Sequence, residues 1–238
     1  MFQLSTQPSN SLPPPPGASL THLPIPRDPS HAAEQAIEAL GSTVTVAKNT
    51  ELWAQGDNTQ YSYRLVSGCI RLVKLMEDGR RQISEFIVGG EWFGFAGMDL
   101  QDRAAEAVVG CVLRRYPRRA VESLASQDSA VARWRFDLVS KKLYVAQEHM
   151  LTLGRRTAEE RIASFLLDMT TRAGRDSATS VGLPMSRTDI GDYLGLRLET
   201  ICRVLSRLKR AGAIRVSPSG FSIRDRSALE ISASDTWH

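Results

Sequence analysis

A chain of 238 residues is too long for a peptide module and suits two ordinary domains better than one large one. Hydrophobic residues at 42% and charged residues at 24% are globular values, which exclude a mostly disordered chain. The net charge of +4 is local: residues 157–226 hold 12 Lys+Arg against 8 Asp+Glu, and the remainder is balanced, so the excess lies in the C-terminal third.

Eight of the eleven prolines fall in the first 30 residues, including Pro13 to Pro16. Missing amide hydrogens and fixed φ oppose both helix and sheet there, so residues 1–30 read as a flexible arm. A short helix is expected from Pro29 to Leu40, closed by Gly41 in a left-handed conformation. From Val44 to Tyr116 the chain breaks into short β-prone runs: TVTVAK, YSYRLVSG, CIRLVKLM, RQISEFIVGG and CVLRRYP. Asp78-Gly79 between two of them predicts a hairpin with a primed turn. Gly56, Gly68, Gly79, Gly90 and Gly94 recur about every eleven residues, as corners of a small antiparallel β-roll do.

After Pro117 the pattern becomes helical. Phe136, Val139, Leu143, Ala146, Met150 and Leu153 follow alternate spacings of three and four, which makes one apolar seam. Trp134, Leu138, Val145 and Thr152 form a second stripe. One stripe can cover the roll, and the seam then needs a second copy of the chain. Gly154-Arg155-Arg156 is expected to interrupt the helix as a hinge. Beyond it Thr157 and Glu160 have capping-box spacing before an amphipathic helix, and Arg172 to Gly182 reads as a loop.

The most specific stretch is LPMSRTDIGDYLGLRLETICRVLSRLKRAGAIRV. Ser186 can cap a first helix that holds Asp189, Ile190 and Leu194 and ends at Gly195. A second helix, Leu198 to Ala211, has Ile201, Val204, Leu205 and Leu208 on one face. Arg197, Glu199, Thr200, Cys202, Arg203, Ser206, Arg207 and Arg210 lie on the other. Ala213 to Val216, Pro218-Ser219-Gly220 and Phe221 to Ile223 read as a β-hairpin wing. A basic second helix after a Gly-containing turn, followed by a wing, forms a winged helix-turn-helix.

The chemistry of that face suits double-stranded DNA. Glu199 can accept from a base amino group, and Arg203 one turn later can donate two bonds to guanine O6 and N7. Their i, i+4 spacing also lets them pair with each other. Arg197, Thr200, Ser206, Arg207, Lys209 and Arg210 are placed for phosphate, which sets register without reading sequence. Cys202, between the two base readers and beside Arg203, joins the readout set and is the candidate redox switch, since oxidation would add charge or bulk at the interface.

The chain resembles the CRP/FNR family of transcription regulators, and within it the FixK-like branch, over residues 40 to 230. The resemblance implies an α+β fold: an antiparallel β-roll of the cyclic-nucleotide-binding jelly-roll type (31–120), a dimerisation helix and hinge (121–154), and a DNA-binding winged helix-turn-helix (155–238). In the FNR and FixK branches the recognition helix carries Glu-x-x-Ser-Arg, matched here by Glu199, Cys202 and Arg203 with cysteine in place of serine. Leu198 stands where the CRP branch has an arginine, which argues for the two-fold TTG/CAA sites of the FNR and FixK branches. The resemblance further implies a homodimer, an activating role and contact with RNA polymerase, for which the Glu77 to Arg81 loop is the candidate surface.

Cyclic-nucleotide members hold ribose and phosphate with Gly-Glu and Arg-Ser-Ala; here Gly90-Glu91 is kept, but Arg103-Ala104-Ala105 lacks the serine, and Trp92, Phe93 and Phe95 are expected to fill the roll. No cofactor is expected. Cys69, Cys111 and Cys202 are too few and too scattered for an iron–sulfur cluster, a zinc knuckle or a disulfide framework, and clustered N-terminal cysteines of the oxygen-sensing kind are lacking. His22, His31, His149 and His238 are poorly placed for haem or for general-base chemistry, with His149 expected as a polar residue of the long helix. No hydrolase, metalloprotease or P-loop motif occurs, so an enzyme is not expected. Without an apolar run of roughly 20 residues or a secretory signal, the expectation is a cytoplasmic protein with no membrane partner. The alternative is a ligand-binding regulatory module whose basic helix contacts protein.

Overall fold

The computed structural model describes residues 29–95, 99–174, 180–217 and 220–234. The proline-rich arm, the Pro218-Ser219 turn, and His22 and His238 lie outside the described residues.

Helix α1 (Pro29–Glu38) leads into eight strands: β1 (Ser42–Val46), β2 (Glu51–Trp53), β3 (Tyr61–Ser67), β4 (Cys69–Leu75), β5 (Arg81–Val88), β6 (Trp92–Phe93), β7 (Ala104–Ala107) and β8 (Cys111–Pro117). They form two four-stranded antiparallel sheets, ordered β1-β8-β3-β6 and β2-β7-β4-β5. Both sheets contribute inward residues to one core, including Leu65, Ile70, Ile87 and Leu113, so the β-roll is confirmed. All five glycines expected at its corners have positive φ, from 77° to 107°. At Gly68 an added Cβ would also lie 2.7 Å from Gly110 O, a backbone clash no rotamer change relieves.

Two turn expectations are corrected. Gly41 has no positive φ; its lack of a side chain instead admits the Tyr116 ring, which a Cβ would meet at 2.5 Å. The β4–β5 hairpin is present, yet only Gly79 of Asp78-Gly79 has positive φ. Gly79 N donates to Met76 O at 3.0 Å and Met76 N to Arg80 O at 2.8 Å, a three-residue loop with a left-handed glycine rather than a primed two-residue turn.

Helix α2 (Arg118–Gln127) follows Pro117, and Asp128 then caps α3 (Ser129–Arg155), accepting from Ala130 N at 2.8 Å. At 1.5 Å per residue α3 is about 40 Å long. It runs through Gly154 and Arg155, so of the expected interruption only the extended Arg156 breaks the helix. Trp134 and Leu138 of the second stripe pack with Trp92 and Tyr116 against the roll and α1, whereas Val145 stays 46% exposed. Adjacent strand residues point to opposite faces, so only Phe93 of the three expected aromatics enters the roll; Trp92 and Phe95 face Trp134 instead.

Helix α4 (Ala158–Arg172) begins with the expected capping box of Thr157 and Glu160. Then come β9 (Val181–Gly182), α5 (Arg187–Leu194), α6 (Leu198–Arg210), β10 (Ile214–Ser217), β11 (Gly220–Ile223) and α7 (Arg226–Ala233). The wing is three-stranded, because β9, from the segment read as loop, pairs with β11. α7 is an addition to the sequence reading, capped by Asp225 and packed on α4 through Leu229.

One apolar core crosses from the roll into the C-terminal domain: Val73, Ile83 and Phe86 meet Ile162, Phe165, Leu166, Ile190 and Leu194. His149 of α3 stacks on Tyr193 of α5 at 4.1 Å and 11°, and Tyr193 also meets Phe86 and Phe165. His149 is thus part of the joint between domains, and burial lowers its pKa.

Candidate nucleic-acid interface

The site is carried by α5 and α6. Ser186 caps α5 as expected, with Asp189 completing a capping box, and Gly195 ends the helix at φ 63°. The next turn is tight: a Cβ on Gly191 would lie 2.5 Å from Leu196 O, so glycine is required where the two helices meet. α6 buries Ile201, Val204 and Leu208 against α4, α5 and β10.

That burial turns the polar residues outward. Arg197, Glu199, Arg203, Ser206, Arg207, Lys209 and Arg210 are exposed, with Thr200 and Cys202 half-buried at the same surface. α6 also starts without a side-chain cap at Arg197, so its first-turn amides lack that acceptor. The expected face is therefore assembled.

Its internal pairing differs from expectation. Among the described residues no ion pair joins Glu199 to Arg203; both side chains extend into solvent, where an i, i+4 pair gains only a few tenths of a kcal/mol. Arg207 instead pairs with Glu159 in the first turn of α4. Ser206 Oγ donates to Cys202 O at 2.8 Å, so a bond to phosphate requires that proton to be redirected. The cation at Cys202 is Arg187 of α5, whose Nη1 lies 3.3 Å from Sγ, rather than the expected Arg203. Spacing within one helix could not reveal these partners, since Glu159 and Arg187 lie on neighbouring helices.

Cys69 and Cys111 are buried, and desolvation pushes the Cys69 thiol up to about 12, so neither resembles the accessible Cys202. Among the described residues no cluster of His, Cys, Asp or Glu could hold a metal ion, and no helix is long and apolar enough to cross a membrane.

A second cavity, of about 230 Å³, lies between the roll and α3. Trp53, Phe93, Arg103, Leu138 and Val139 line it, and Lys142 pairs with Glu85 at its wall. Trp53, Tyr63 and Phe93 stack at centroid distances of 5.1 to 5.6 Å within the roll.

Residues 160–231 match the Crp-like helix-turn-helix domain, and residues 43–128 match the cyclic nucleotide-binding domain. The nitrogen fixation regulation protein FixK of Azorhizobium caulinodans is 42% identical over 85% of this chain and 83% of its own length. The chain belongs to the CRP/FNR family of transcription regulators, in its FixK-like branch. The transcriptional activatory protein AadR of Rhodopseudomonas palustris is 32% identical over 82% of each chain. The solved structure of FixK2 from Bradyrhizobium japonicum superposes with a TM-score of 0.78 at 38% identity, covering 83% of this chain and 99% of that one. The regulator is thus a DNA-binding protein and not an enzyme.

A cyclic nucleotide does not fit the residues of this roll. The Glu91 carboxylate is committed to Arg172 of α4, with Nε to Oε1 and Nη2 to Oε2 both at 2.8 Å. Arg103 pairs with Asp102, and the aromatic stack occupies the interior.

The Arg207–Glu159 pair generates a prediction. Glu159→Gln should free Arg207 before DNA arrives, raising affinity for all duplexes alike and leaving sequence preference unchanged. Titrations of several duplexes check it; an unchanged affinity would show that the pair does not compete with DNA.

Proposed function

We propose that two copies of the regulator pair along α3 and set their α6 helices in successive major grooves of a two-fold TTG/CAA element, about one helical turn apart. The observation that carries this reading is the outer face of α6, where Glu199 and Arg203 stand exposed one turn apart while Ile201, Val204 and Leu208 fix the helix beneath them. Glu199 and Arg203 read base edges, with Cys202 between them. Arg197, Thr200, Arg207, Lys209 and Arg210 hold phosphate, and Ser206 joins them once its hydroxyl turns from Cys202 O.

The seam on α3 supports pairing. Phe136 is 67% exposed, Leu143 59% and Met150 67%; Val139 and Ala146 are also exposed, and Leu153 is half-buried. An apolar strip of this length on a soluble regulator marks a surface that a second subunit covers. Activation follows the relatives, of which AadR is named an activatory protein. Contact with RNA polymerase, in the cytoplasm, is what the family resemblance implies. Arg81 is excluded from the polymerase surface suggested for the Glu77 to Arg81 loop, because it binds Asp189 and Asp192.

Selection from random duplexes should return the two-fold TTG/CAA element, and transcription in vitro from it should rise when the protein is added. Arg203→Ala should cost roughly 1–3 kcal/mol on that element and relax its sequence preference, whereas Arg207→Ala should weaken all sequences similarly. A competition assay in which Arg203→Ala keeps the full preference would contradict the readout assignment.

Leu143→Glu, which places a charge in the seam, should sediment as a monomer and lose two-site binding; a dimeric variant would refute the seam. Mild peroxide should weaken DNA binding by the natural protein and spare Cys202→Ser, and equal losses in both would eliminate the redox switch.

A further inference from the structure

The recognition helix is only as well aimed as the helix beneath it, and α5 is fastened to the roll by a carboxylate with two separate tasks. Asp189 Oδ2 accepts from Ser186 N at 3.1 Å and Ser186 Oγ at 2.8 Å, closing the cap of α5. Its other oxygen, Oδ1, accepts from Arg71 Nη1 of β4 at 3.0 Å and Arg81 Nη2 of β5 at 2.8 Å. One turn on, Asp192 Oδ2 accepts from Arg81 Nε at 2.6 Å. Arg71 is itself held by Glu106 of β7, whose Oε2 accepts from Nε at 2.7 Å. The Asp189 residue is 3% exposed, so water cannot replace these partners without moving the domains apart.

We propose that Arg71 and Arg81 are positioning residues for DNA recognition: by gripping Asp189 and Asp192 they fix the angle of α5 and α6 to the roll, and so the distance between the two recognition helices of a dimer. Neither arginine touches the outer face of α6. The extended residue Arg156 is the link through which the C-terminal domain would otherwise swing on α3. The Arg172–Glu91 bridge braces the same joint from α4.

The inference rests on the two-half-site reading above. Its signature is the spacing of half-sites, because general destabilisation lowers binding to every duplex by one factor and leaves ratios between duplexes unchanged. Inserting or deleting one base pair at the centre of the element displaces a half-site by about 3.4 Å and rotates it by roughly one tenth of a turn.

The full-length protein should lose affinity by ~10-fold or more on either change, the scale of one mismatched base pair. Arg71→Gln/Arg81→Gln should reduce that loss to about threefold or less, with affinity for a duplex holding one half-site unchanged in both proteins. Arg80→Gln serves as the control, because Arg80 is exposed and, among the described residues, pairs only with Asp78. It should keep the natural profile.

A double variant as sharply dependent on spacing as the natural protein would overturn the proposal. Should the double variant fail to fold, Arg81→Gln alone, which leaves the Arg71–Asp189 bridge intact, is measured in the same way: a broadened profile supports the assignment and an unchanged one removes it. A natural protein that binds only one half-site or ignores spacing would instead overturn the dimer reading, and this inference with it.

Discussion

The attachment of the helix-turn-helix to the roll is a polar bridge set in an apolar frame. Phe86, Phe165, Tyr193 and the aliphatic residues around them supply the contact area, but apolar packing is non-directional and tolerates sliding. The two guanidiniums on Asp189 do not tolerate it. In such a site the attraction between charges barely exceeds the cost of taking them out of water, so the bridge adds little net stability. A shifted geometry strands a buried charge, and wrong orientations are penalised. Burial by itself would raise the Asp189 carboxyl; the Ser186 hydroxyl and amide and the two arginines overcome that and hold it below the ordinary carboxylate range, so the bridge is charged at neutral pH.

The same economy governs α6. Its inner face is buried against three neighbouring elements, and nearly everything else on it is polar and exposed. Pairing of Arg207 with Glu159 partly neutralises the surface in the free protein, and Arg187 is held by the Cys202 sulfur. DNA would therefore exchange a partner at Arg207 while meeting Arg197, Lys209 and Arg210 without ion pairs among the described residues. Such exchange reduces the net electrostatic gain while leaving Arg203, the proposed base reader, without an ion pair among the described residues.

In the roll, residues that resemble a nucleotide site serve the joint between domains. Glu91 holds Arg172, and Phe93 completes a stack with Trp53 and Tyr63. The cavity that remains faces α3 and is bordered by the Glu85–Lys142 pair, so the roll is coupled to the long helix by a salt bridge at its wall.

Much of this was legible in the chain. The five corner glycines, the strands flanking Asp78-Gly79, the caps at Thr157 and Ser186, the break at Gly195 and the two faces of α6 are local matters, each decided within a few residues by φ preference, hydrogen bonding or periodicity. The misreadings share the opposite character. Gly41 is small because Tyr116 lies against it, β9 is a strand because β11 offers it a partner, and Trp92 turns away from Phe93 because a strand alternates faces. Arg71, Arg172, Glu159 and Arg187 carried no signal as site residues, and Glu91 and Arg81 were marked only for other roles, because their partners lie up to 118 residues away and on other elements. The sequence by itself determined most of the helices and strands and which face of α6 is polar. The tertiary structure alone decided where that face points, because the pairing of distant charges depends on how finished surfaces meet and not on any spacing along the chain.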